Sequence, residues 1–166
     1  MRVDQYADTE LRRILGSFPT GVTAVAALVD GRPAGLAANS FTSVSLCPPI
    51  VSICIAHSSS TWPLLRAATR LGISVLGADH AQMCRQLSAR TGDRFRDIAW
   101  NSNGNGAVFI EGACAWFECR ILQHVPAGDH DVVLLEVCKL LAAPSPTKPL
   151  VFHGSRFREL GVFIDD

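Results

Sequence analysis

Three segments of this 166-residue chain concentrate side chains able to do chemistry. The first is Asn39-Ser40-Phe41-Thr42-Ser43-Val44-Ser45. At strand period, Asn39, Phe41, Ser43 and Ser45 share one face, and Ser40, Thr42 and Val44 the other. Most of these side chains are small and carry donors and acceptors, so the backbone can come close to a flat, polar ligand. An ordinary exposed edge strand would have the same content. The second segment is Ala56-His57-Ser58-Ser59-Ser60-Thr61, followed by Trp62-Pro63. Ser60 or Thr61 suits a helix N-cap, and Pro63 suits the first turn. A helix start leaves N–H groups unpaired and carries partial positive charge, so added hydroxyls make a phosphate cradle that needs no lysine. Simple capping needs only one of these side chains and stays open. The third is Ala127-Gly128-Asp129-His130, where Gly128 permits an unusual backbone conformation and Asp129 can orient His130 or hold the turn. A polar hairpin tip is the plainer reading. His80 and His124 show no partner pattern and are expected to be structural or solvated.

Several chemistries are excluded. The sequence contains no GxSxG, no GxxxxGK[ST] and no GxGxxG after a strand. Fifteen Lys+Arg balance fifteen Asp+Glu, which argues against nucleic acid or an anionic membrane as partner. No apolar run approaches the ~20 residues of a transmembrane helix. The first residues lack an apolar h-region, so no signal peptide is expected and the cytoplasm is the expected location. Six cysteines show no CxxC and no zinc-ligand spacing; most are expected to be small buried hydrophobes, with Cys47 the most exposed. Apolar residues reach 48% and charged residues only 18%, which predicts one well-packed domain over 1–166, with its core at about 11–160. The shortage of charge also hints at a second copy covering part of the surface.

These segments need a frame. Leu11, Ile14, Leu15 and Phe18 form one apolar stripe, predicting a helix over Asp8–Gly16. Val22–Val29 reads as a strand, and Asp30-Gly31 as a hairpin turn. Ala34–Leu46 reads as one or two further strands, broken by Pro48-Pro49. Ile50–Ala56 reads as a strand buried on both faces, and Gly72–Leu76 as another core strand. Asp79-His80-Ala81-Gln82 has the form of a capping box opening a helix to about Arg90. Asn101–Gly106 reads as a loop, and Val108–Val125 as one long strand. Pro126–His130 forms a turn, Asp131–Leu141 returns, and Leu150–His153 closes the sheet. Strands joined by short turns predict a mainly β protein, an antiparallel barrel with packed helices.

Phe18-Pro19-Thr20-Gly21-Val22-Thr23, Ala38–Ser45, Pro48-Pro49, Gly128-Asp129-His130 and Pro149-Leu150-Val151-Phe152-His153, in this order and spacing, resemble the short-chain flavin reductase family. These are small NAD(P)H:flavin oxidoreductases serving two-component monooxygenases. The resemblance implies a split β-barrel that binds FMN or FAD, uses NADH or NADPH as hydride donor, and forms a homodimer with flavin near the subunit interface. It implies that Asn39, Ser40, Phe41, Thr42, Ser43 and Ser45 contact the isoalloxazine ring and ribityl chain. Ser58, Ser60 and Thr61 would hold the phosphate, and Ser88 and Arg90 would lie near the flavin. His130 would bind the nicotinamide and act as the catalytic residue, with His153 and Arg156 near the site and no metal. Reduced flavin would pass to a separate monooxygenase. The sequence departs from the family pattern at Leu36-Ala37-Ala38, Cys47 and Leu87, and no Lys or Arg flanks Ser58. A flavin-binding module without turnover, or a split-barrel flavin oxidase with its own substrate, would share the fold; the Gly-Asp-His motif favours the reductase.

Overall fold

The computed structural model describes residues 7–161. Helix α1 (Asp8–Leu15) forms where the stripe predicts it, yet buries none of its residues: Ile14 is 48% and Leu15 64% exposed. The chain then makes the short strand β1 (Thr20–Gly21) and the hairpin of β2 (Thr23–Val29) and β3 (Arg32–Ala38). Asp30 (φ 49°) and Gly31 (φ 75°) both take positive φ, as a two-residue turn matching strand twist requires.

Residues Ala34–Leu46 form two strands, not one. The chain leaves the ladder at Asn39–Phe41 before β4 (Thr42–Leu46) begins, and the β4 register itself shifts between Ser43 and Ser45. The expected alternation from Asn39 to Ser45 is therefore interrupted twice. Phe41 instead packs into the core, its ring 5.6 Å from that of Phe117. Strand β5 (Pro49–Ala56) buries one face through Val51, Ile53 and Ile55, whereas Cys54 on the other face is exposed. Ser52 on that second face is buried as well, so the expected burial on both faces holds at Ser52 and fails at Cys54, where the strand lines an opening.

Helix α2 (Trp62–Leu65) is a single turn, and β6 (Leu71–Val75) follows. A 3₁₀ turn (Ala78–His80) leads into α3 (Ala81–Leu87), which is shorter than expected. The Asp79/Gln82 capping box does not form. Nδ1 of His80 accepts the Gly77 N–H at 3.1 Å, so His80 has a specific structural job. Burial holds the His80 imidazole below its usual pKa. Strands β7 (Trp100–Ser102) and β8 (Val108–Ile110) pair with each other, so part of the expected loop is strand. The expected long strand breaks at Gly112 (φ 74°) before β9 (Ala115–Ala127), which pairs along its length with β10 (His130–Ala142). Strand β11 (Val151–His153) does not close the main sheet. It pairs with β1 and with β12 (Arg156–Arg158) in a separate three-stranded sheet.

The main sheet has seven strands in the order β3-β2-β6-β9-β10-β5-β4, with every neighbour antiparallel. Its two edge strands, β3 and β4, are consecutive in the chain. Laid flat, the edges would sit about 29 Å apart at ~4.8 Å per strand. Ala38 and Thr42 are only four residue steps apart, at most about 14 Å of chain. The sheet must therefore curl until its edges nearly meet, giving a barrel split along a seam that Asn39–Phe41 crosses. One core fills the barrel, with Val25, Ile53, Leu71, Ile73, Val133 and Leu135. A second lies outside it, where Ala24, Ala26 and Val108 meet Leu76, Leu87 and Phe95. Strand β2 is buried on both faces because it separates the two cores. Gly72 is required where β6 crosses β8, since a Cβ there would sit 2.0 Å from the Val108 carbonyl oxygen.

Among the cysteines only Cys84 and Cys119 are buried; Cys47, Cys54 and Cys138 are exposed. The expectation that most are buried is corrected. Burial pushes the Cys119 thiol up to about 12, which makes it inert as a nucleophile.

Candidate functional site

The seam opens into a groove. Two adjoining cavities, about 260 and 300 Å³, share Ala37, Ala38, Asn39 and Ser88 and so run together past the end of β3. Small side chains at Ala37, Ala38 and Ser40 keep this wall shallow. Ser40 is committed to the frame: its hydroxyl donates to the Cys54 carbonyl (3.2 Å) and accepts the Cys54 N–H (2.9 Å). These bonds stitch the seam to β5 where the strand ladder is missing. Ser88 ends α3, its hydroxyl donating to the Cys84 carbonyl at 2.8 Å.

One corner of the groove carries Arg94 and Ser59. The Arg94 Nη1 donates to Thr61 Oγ1 at 2.5 Å and to the Gly35 carbonyl at 3.4 Å. Thr61 is buried, so its hydroxyl orients the guanidinium. Thr61 is the N-cap residue of α2, one of the two expected positions, but its side chain makes no capping bond; Ser59 Oγ instead accepts the Trp62 N–H at 3.2 Å. A single helical turn has little macrodipole, so positive charge at this corner comes chiefly from Arg94.

A second corner carries His130, the first residue of β10, in register with Ala56 of β5 and Ala127 of β9. Gly128 takes φ 65° in the turn, which L side chains rarely adopt. His130 Nδ1 lies 2.7 Å from Asp129 Oδ1, so the carboxylate fixes the ring and leaves Nε2 for a ligand. The same hydrogen bond holds the Asp129 carboxyl below its usual pKa. The far end of the groove is apolar, walled by Val22, Phe152 and Phe157.

The structure thus brings Asn39, Ser40, Ser88 and His130 onto one groove. Thr61 stands behind its wall and reaches it through Arg94. Ser58 and Ser60 are exposed next to Ser59 and outside the lining, and Arg90 is likewise exposed outside it. Thr42, Ser43 and Ser45 lie on the edge strand β4, away from the lining. His153 and Arg156 pair across β11 and β12, beside the lining Phe152 and Phe157. Arg94, Ser59 and Cys54 were not singled out from sequence. Arg94 is 33 residues from Thr61 and 59 from Gly35, and no local pattern marks such a contact. The sequence shows only that no Lys or Arg flanks Ser58, which weakens a phosphate assignment there and does not point to Arg94. His124 also has partners: Asp131 at 3.6 Å and the Trp62 ring at 5.8 Å between centroids.

Comparison with known proteins agrees with this architecture. Residues 15–161 match the family described as flavin reductase like domain. The chain is 42% identical over 146 residues to the FMN reductase (NADH) SmoA of Agrobacterium fabrum, covering 88% of this chain and 82% of that protein. It is 32% identical over 143 residues to HsaB of Mycobacterium tuberculosis, the reductase subunit of a flavin-dependent monooxygenase, covering 86% and 76%. The Streptomyces globisporus NADH:FAD oxidoreductase SgcE6, solved with NAD and FAD fragments, aligns with a TM-score of 0.89 and 37% identity over 99% of both chains. Curled seven-stranded sheet, seam groove and sequence together place the chain in the flavin reductase-like domain family.

Proposed function

We propose that this protein reduces FMN or FAD with NADH and releases the reduced flavin to a separate monooxygenase component. The observation that carries the reading is one continuous groove with a guanidinium at one corner and a carboxylate-oriented imidazole at the other. The groove suits a flavin: its small-residue wall admits a flat ring, its apolar end suits the ring's hydrophobic edge, and Arg94 suits a phosphate. FMN and FAD both carry that phosphate. The relatives SmoA and SgcE6 use NADH, which supports NADH as donor, and HsaB supports an oxygenase partner.

A flavin bound here supplies the hydride-accepting ring. The chain's own residues bind and orient. Arg94, held by Thr61, neutralises the phosphate. Asn39 and the backbone of 38–40 border the ring along the seam. His130, oriented by Asp129, would offer Nε2 for one hydrogen bond to the nicotinamide and so help to position it. The chemistry such a flavin would supply is hydride acceptance, for which the groove residues would serve to bind and orient.

Homodimerisation is part of the same reading. β4 is an unpaired edge with Val44 51% and Leu46 89% exposed, and it adjoins the seam. Natural proteins rarely leave such an edge bare, and a second copy would cover it. Light scattering after size exclusion should give twice the chain mass.

The decisive test is steady-state NADH oxidation with FMN, FAD or riboflavin. Turnover that saturates in both substrates is expected, with FMN or FAD bound more tightly than riboflavin. Tight flavin binding without NADH consumption would leave a binding module in place of a reductase.

A further inference from the structure

A group of side chains just behind the His130 corner has no part in the chemistry above. The Asp131 carboxylate is reached from two directions. Its Oδ1 lies 2.9 Å from Nε2 of His57, in the segment after β5, and its Oδ2 lies 3.6 Å from Nδ1 of His124 on β9. His57 is attached a second time: its backbone N–H donates to the Asp129 carbonyl at 2.9 Å. His57 therefore grips the chain at the residue before His130 and at the residue after it. Two positions along from His57 is Ser59, which lines the groove with Arg94 and accepts the Trp62 N–H at the start of α2. The hydrogen bond from His57 holds the Asp131 carboxyl below its usual pKa, so the pair carries charge at neutral pH from the carboxylate side.

Resting on the flavin reductase reading, we propose that His57 and Asp131 are positioning residues that clamp the 57–61 segment to the His130 turn. The clamp fixes the spacing between the phosphate corner and the nicotinamide corner. Without it the two segments are joined through the end of the β5–β10 ladder at Ala56 and His130 and through the single backbone bond from His57 to Asp129. Neither residue lines the groove. Their effect passes through Ser59 and Thr61 on one side and His130 on the other.

A double-mutant cycle tests the proposal. His57→Ala and Asp131→Ala should each raise both the flavin dissociation constant and the KM for NADH about 3–10-fold, as loss of one hydrogen bond near a charge does. Saturated kcat should stay within about 2-fold of the parent, because the rings still meet once both are bound. The double variant should be no worse than either single one. His124→Ala, whose contact with Asp131 is longer, should do less. Multiplying effects in the double variant would overturn the clamp, as would single variants that leave both constants unchanged. Amide hydrogen exchange gives a readout that needs no turnover. Exchange at the His57 amide should speed up in Asp131→Ala, and unchanged exchange would also overturn the clamp. If the parent chain failed to oxidise NADH, the reductase reading would fall, while exchange at His57 and flavin binding would still decide whether the clamp exists.

Discussion

The two corners of the groove are built in opposite ways. The His130 corner is local: Asp129 is the adjacent residue, Gly128 sets the turn, and the β9–β10 ladder carries both. The Arg94 corner is assembled from distant pieces, an arginine after α3, a threonine before α2 and a carbonyl on β3. A local site survives small shifts in the fold because its parts move together. A long-range site is only as well placed as the packing between its elements. Binding at the Arg94 corner should therefore be the more sensitive to substitution, and the more visible in flavin affinity.

Substituting Arg94 is the strongest way to test that difference. Arg94→Ala removes the guanidinium and leaves the buried Thr61 hydroxyl without its partner. FMN affinity should fall about 10–100-fold, the range for a hydrogen bond to a charged group. Riboflavin, which lacks phosphate, should bind nearly as before. Fluorescence quenching with both ligands measures this, and equal losses would move the phosphate away from Arg94. His130→Ala should raise the KM for NADH about 3–10-fold with little change in flavin affinity. Equal changes in the two would remove the distinction between the corners. Ser59→Ala should cost about 1 kcal/mol as a lost cap, lowering the thermal midpoint by roughly 2–4 °C. Ser60→Asp, with its side chain outside the lining, should weaken FMN less than Arg94→Ala does; an equal or larger loss would put the phosphate at the Ser60 side of the segment.

The smallest effect concerns pH. The folded Asp129 carboxyl lies below its unfolded value of about 3.9. Its contribution to stability is therefore present above that value and fades as pH falls through the lower, folded value. Asp129→Asn should differ from the parent at neutral pH, and the gap should close in acid. A gap that widened below pH ~4 would contradict the hydrogen bond to His130.

The same contrast explains what was legible beforehand. The β2–β3 hairpin was plain because Asp30-Gly31 is a turn signal with one dominant geometry. The Gly128-Asp129-His130 tip was plain for the same reason. The strand break at Asn39–Phe41 was not, because the alternation of small polar residues runs straight through it. What breaks the strand is the hydroxyl of Ser40 bonding to Cys54, fourteen residues away. Val108–Val125 read as one strand since a single Gly112 in an apolar run is a weak break, and Cys54 read as buried because strand β5 is apolar but for Ser52. Arg94 sits in Asp93-Arg94-Phe95-Arg96-Asp97, which looks like any solvated charged loop. Ser58, Ser60 and Thr61 lie in the same turn as the groove-lining Ser59, and which hydroxyl faces inward depends on the path of that turn.

The barrel's incomplete closure has a thermodynamic corollary. Across the seam, β3 and β4 share no strand ladder, so prising these edges apart sacrifices few hydrogen bonds compared with any other place in the wall. The groove beside it is lined by β3 on one side and the β5–β10 end on the other, so a molecule lodged there would tie these two parts of the wall together. Occupancy then acts as a fastening: at a hundredfold excess over its dissociation constant the ligand should add about 2.7 kcal/mol to unfolding. Each departing flavin would leave the protein measurably softer, and melting curves would track how full the groove is.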